Sequence, residues 1–176
     1  MMRAMLFLHQ FAAAVVLVTL TLAAQSAGVA ALIEWARAHL AKGVDRFLWI
    51  GAALLVVRFT TLIIFLHIAE ILLWACFFRW QCLATWESAF YFSASSYSTV
   101  GYGDIVLPQV WRILGPIEGL TGILMCGVSV SLLFAIVARL VARDEERKMT
   151  KMFTRTVSRL EGVQADQAAA GQEKKS

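Results

Sequence analysis

Thr99-Val100-Gly101-Tyr102-Gly103-Asp104 is the stretch on which the fold turns. A cation that sheds its water needs a ring of oxygens of comparable number and field strength. Consecutive backbone carbonyls supply such oxygens when they all face the same side, which demands alternating dihedrals. Gly101 and Gly103 are the residues here that reach φ > 0 without steric cost. Thr99 adds a hydroxyl at the inner end, and Asp104 places a negative charge at the outer mouth. Val100 and Tyr102 are expected to point away and pack against the preceding short helix, holding the strand. A chance glycine-rich turn is the alternative, and the flanking segments decide against it.

Those flanks are apolar. Of the 176 residues, 60% are hydrophobic and 16% charged, with mean hydropathy +0.70. A soluble domain carries roughly 45–50% apolar and about 25% charged residues. Three segments, 5–33, 47–78 and 113–138, are long enough to cross a bilayer, which takes about 20 residues. The first holds no Asp, Glu, Lys or Arg. The second holds only Arg58 and Glu70, and the third only Glu118. Residues 85–97 are semi-apolar and too short to cross, which suits a re-entrant helix. The sequence therefore predicts an all-α membrane protein: three transmembrane helices, a re-entrant pore helix and a filter. The domains read as 1–46 (N-terminal helix and connector), 47–140 (pore) and 141–176 (helical tail). The last dozen residues, rich in Gln, Ala and Gly, read as disordered.

Segment 5–33 loosely has the pattern of a leader, with Arg3 before the apolar run and small residues around 24–26. Charge placement argues for a retained helix. Arg37, Lys42 and Arg46 follow the first span. Arg139, Arg143, Arg147, Lys148, Lys151, Arg155, Arg159, Lys174 and Lys175 follow the third. Only Arg3, Arg79 and Arg112 lie on the opposite side. The positive-inside rule then places the N-terminus and 79–112 outside, and the 34–46 connector and tail in the cytoplasm. Cleavage near residue 26 would put Arg37, Lys42 and Arg46 on the wrong face.

Residues 99–104, preceded by a 13-residue amphipathic segment and flanked by two spans, resemble the potassium channel family, with every filter position matched. The resemblance covers about 47–140 as outer helix, pore helix, filter and inner helix. It implies potassium sites at Thr99, Val100, Gly101 and Tyr102, with Gly103 completing the filter. It also implies passive conduction through a homotetramer in the plasma membrane, since one chain carries one filter strand and a closed ring takes four. Pore-helix aromatics cuff the filter in the family, and Tyr91 and Phe92 occupy the matching positions. Several bacterial members place a Glu four residues before the filter Thr, bonded to the Asp that follows the filter. Ser95 stands there instead, so a weaker or water-bridged Ser95–Asp104 link is expected. His67-Ile68-Ala69-Glu70, Tyr102-Gly103-Asp104-Ile105-Val106-Leu107-Pro108 and Trp111-Arg112 also look like a bacterial subfamily with three spans per chain.

Other residues leave two readings open. Glu118 is either structural, bonding the pore helix of a neighbouring chain, or part of conduction or gating. His67 and Glu70 share a helical face, as a buried hydrogen-bonded pair or a proton sensor. Arg58 reads as a snorkelling boundary residue, because steep voltage gating needs several arginines. Gly115, Gly119, Gly122 and Gly127 allow either close packing or a hinge, with Gly119 or Gly122 the favoured bend.

In the tail, Arg139, Arg143, Arg147, Lys151, Arg155 and Arg159 form one slowly turning basic stripe. Met149, Phe153, Thr156, Leu160 and Val163 follow a loose heptad, which fits a parallel four-helix bundle or a solvated amphipathic helix. Arg139 and Arg143 are expected to meet anionic lipid heads. Asp144, Glu145 and Glu146 form candidate gating rings: protonation would unbalance the arginine rings and splay the helices, or these are ordinary screened charges. Cys76, Cys82 and Cys126 have no metal-ligand spacing and read as free thiols. No enzyme activity, nucleic-acid partner or cofactor beyond permeant potassium is expected. Two rival functions remain: a subunit of an active transporter, against which the single intact filter argues, and a nonconducting modulatory subunit.

Overall fold

A computed structural model describes residues 2–41 and 48–173. Lys42, Arg46, Lys174 and Lys175, counted in the topology argument, lie outside them. The order is α1 (Met2–Ala41), α2 (Leu48–Gln81), α3 (Trp86–Tyr97) and α4 (Leu114–Glu173). Among the described residues all extended regular structure is helical. Three helices are long and apolar enough to span a membrane, over Phe7–Ala38, Ala53–Gln81 and Leu114–Gly162. The chain divides into two compact units, Met1–Leu133 and Phe134–Ser176.

In the first unit, α1 buries one stripe: Gln10, Ala14, Leu17, Thr21, Gln25, Leu32 and Ala36. Spacings of three, four and seven keep these positions on one helical face. Its polar members have partners. Thr21 Oγ1 accepts from Trp74 Nε1 at 3.0 Å and donates to Leu17 O at 2.9 Å. Gln25 Nε2 donates to Met125 O at 3.2 Å and to Ser129 Oγ at 3.0 Å. Gly28 allows α1 close to α2, since a Cβ there would lie 2.6 Å from the Leu66 side chain. The apolar core joins Ala14 and Leu17 to Trp74, Ala75, Phe78, Ala89, Leu107, Trp111 and Leu114.

Helix α3 starts at a capped turn. Thr85 is extended (φ −126°, ψ 154°), and its Oγ1 accepts from Ser88 N at 3.1 Å, satisfying an otherwise orphaned helix donor. Twelve residues rise about 18 Å, well short of a bilayer core about 30 Å thick. The chain then returns through the filter strand, as a re-entrant segment requires.

In the second unit α4 runs to Glu173, and the last three of the dozen residues read as disordered lie outside the described residues. Ala and Gln, which dominate the end of α4, are strong helix formers even where no core is buried. Met149, Met152, Phe153 and Leu160 are exposed on this helix. Lys148 Nζ pairs with Asp144 Oδ2 at 2.8 Å and Glu145 Oε1 at 3.0 Å.

Candidate functional site

The strand after α3 has the alternation that a row of like-facing carbonyls needs. Thr99, Gly101 and Gly103 take φ of 62°, 55° and 79°, every second residue. Glycine tolerates this, whereas for a β-branched Thr it is an outlier held by its surroundings. The sequence pointed to the two glycines and gave no signal for Thr99.

Ser95 of α3 ties the strand at two successive amides. Ser95 O accepts from Gly101 N at 3.1 Å, and Ser95 Oγ accepts from Tyr102 N at 3.3 Å. The expected Ser95–Asp104 link is not among the hydrogen bonds of the described residues. Ser is too short to replace a Glu there, and its hydroxyl takes the Tyr102 amide. Asp104 Oδ1 accepts from Ile105 N at 3.0 Å, and its carboxylate, hydrogen-bonded to the Tyr91 phenol, holds that phenol above its ordinary pKa.

The two cuff candidates separate. Tyr91 stacks on Tyr102, with ring centroids 6.1 Å apart and planes 16° apart. Phe92 turns to the other side of α3, edge-on to Phe78 at 5.1 Å. Consecutive helical positions point about 100° apart, so both could not face the filter. Val100 remains 53% exposed and Tyr102 69% exposed in the single chain.

Ala89, Ser93 and Tyr97, four apart, form the buried stripe of α3. Two carboxylates meet it. Tyr97 OH donates to Glu70 Oε2 of α2, and His67 Nδ1 lies 2.9 Å from that hydroxyl and 3.3 Å from Glu70 Oε2. Ser93 Oγ contacts Glu118 Oε1 of α4 and lies 2.8 Å from Ile71 O of α2. Glu70, Glu118 and Ser93 are fully buried. Glu118 therefore bonds the pore helix of its own chain, whereas the sequence suggested a neighbour's. Ser93 and Tyr97 went unnamed there, although hydroxyls four apart on an apolar face were a readable sign.

Gly119 and Gly122 lie against the end of α3. A Cβ on Gly122 would stand 2.1 Å from Tyr97 O, and one on Gly119 3.0 Å from Ser96 O. Gly115 faces Phe92 in the same way, while Gly127 meets nothing within 4 Å. Close approach thus accounts for three of the four glycines, and α4 is unbroken where a bend was favoured. An open cleft of about 590 Å³ lies between Tyr91, Ser95, Asp104, Gly115 and Leu120, and its lining is mostly apolar.

Comparison with known proteins adds one finding. Residues 53–139 match the family model described as "Ion channel". No curated protein and no solved structure matches the chain. The match runs from α2 through α3 and the filter strand into α4. That segment belongs to the ion channel family, and α1 stands outside it as an additional N-terminal apolar helix.

Proposed function

We propose that the chain is one subunit of a homotetrameric, potassium-selective channel that conducts passively across the plasma membrane. The observation that carries this reading is the positive φ at Thr99, Gly101 and Gly103 within the ion channel segment. With that alternation, the carbonyls of Thr99, Val100, Gly101 and Tyr102 can replace a potassium ion's hydration shell once four strands surround an axis. Exposure of Val100, Tyr102 and the apolar cleft beside them fits a surface covered by neighbouring copies. The C-terminal end of α3 brings partial negative charge toward the inner end of the filter, favouring a partly dehydrated cation. The N-terminus lies outside and the tail in the cytoplasm, with Arg139 and Arg143 near anionic lipid heads.

Rubidium uptake into vesicles carrying the purified protein tests this, with an outward potassium gradient as the sole driving force. Uptake without any energy source is expected. Uptake that requires an energy source would indicate a transporter. Uptake only after a second protein is added would indicate a modulatory subunit.

A further inference from the structure

The Ser93 hydroxyl has one proton and two neighbours that both need one. Ile71 O, 2.8 Å away, is a carbonyl and can only accept. Ser93 therefore gives its proton to Ile71 O. The contact with Glu118 Oε1 then needs a proton from the other side. An ionised carboxylate has none to give, while a carboxylic acid has one.

The surroundings agree. Glu118 Oε2 is buried and has no hydrogen-bond partner among the described residues. Glu118 makes no ion pair there either. An isolated buried carboxylate within a span is strongly disfavoured. The titratable group near it on α3 is Tyr97, itself in contact with Glu70 and His67 of α2, and no Lys or Arg pairs with Glu118 among the described residues. Glu70 is a contrasting case. It receives the Tyr97 proton, and a His67 with its proton on Nδ1 donates to the Tyr97 oxygen.

We infer that Glu118 is a neutral carboxylic acid donating to Ser93 Oγ, so that Glu118, Ser93 and Ile71 O form a directed relay clasping α3 between α4 and α2. Glu118 is thereby a positioning residue for the filter. Ser93 lies two residues before Ser95, which holds the Gly101 and Tyr102 amides. A shift of α3 at Ser93 moves the strand through Ser95. The protonation stands on geometry alone, while its consequence for ion selection rests on the proposed potassium filter.

Infrared difference spectra of the reconstituted protein, parent minus Glu118→Gln, test the protonation. A carbonyl band of a protonated carboxylic acid is expected in the parent at neutral pH and absent from the variant. Carboxylate bands in its place would overturn the inference. Reversal potentials in mixed potassium and sodium test the positioning. Glu118→Gln, whose amide can donate to Ser93 Oγ, is expected to keep the parent's selectivity. Glu118→Leu and Ser93→Ala are expected to lose it. Parent-like selectivity in Glu118→Leu would overturn the positioning role. A parent that fails to discriminate would count against the potassium filter and leave the infrared result standing.

Discussion

Tyr97, in the last turn of α3, donates its hydroxyl proton to the fully buried carboxylate of Glu70 in α2. Twenty-seven residues apart in sequence, they fix the inner end of the pore helix to the outer helix. Glu118 holds the same helix one turn earlier from the other side. The filter strand thus hangs from a helix gripped by two buried acids.

Tyr97→Phe removes the donor and leaves Glu70 with His67 as its remaining partner. Stranding a buried polar group costs about 1–3 kcal/mol, more for a charged one. Thermal unfolding of the detergent-solubilised protein should show this loss. His67→Gln, which leaves the Tyr97–Glu70 bond in place, should cost less. Equal stability of Tyr97→Phe and parent would remove Glu70 from the support of α3.

The inner-helix glycines should respond oppositely to Ala. Gly122→Ala drives a Cβ to 2.1 Å from Tyr97 O, a backbone atom that cannot step aside. Overpacking of this kind costs about 1–3 kcal/mol. Gly127→Ala meets nothing within 4 Å and should gain roughly 0.5–1 kcal/mol from reduced backbone entropy. If Gly127→Ala impairs opening while leaving stability improved, the bend belongs there.

The extent to which this was readable from residues follows from the range of the forces involved. Span lengths, the re-entrant helix and the two filter glycines are local properties of apolar runs and of φ, and they were legible. The polar stripe of α1 was not. Gln10, Thr21 and Gln25 look incidental until Trp74, Met125 and Ser129 are placed beside them. The Ser93–Glu118 contact likewise depends on which face of α3 meets α4, which no single helix determines. The sequence compared Ser95 with a longer Glu and so looked toward Asp104, whereas the shorter side chain reaches the Tyr102 amide.

The tail carboxylates carry a separate expectation. Asp144 and Glu145 share Lys148, in pairs exposed enough to contribute little to stability. In the proposed tetramer, replacing Asp144, Glu145 and Glu146 with Asn or Gln leaves the basic rings unbalanced. Open probability at neutral internal pH should rise to that of the acidified parent. An unchanged open probability and pH response would move the gate to the filter around Ser95 and Asp104.

Topology has its own readout. Reporter fusions should place the N-terminus outside and the C-terminus in the cytoplasm, from the asymmetry of basic residues. Both ends on one side would contradict a three-span arrangement.

The central claim is that the strand Thr99–Gly103 selects potassium, and a bi-ionic reversal potential tests it most directly. Purified protein in a planar bilayer, with potassium on one side and sodium on the other, should reverse far from zero, toward the potassium equilibrium potential. Gly101→Ala, which puts a Cβ at φ 55°, should abolish that current with the oligomer intact. A parent current reversing near zero, or a Gly101→Ala current identical to the parent's, would contradict the account.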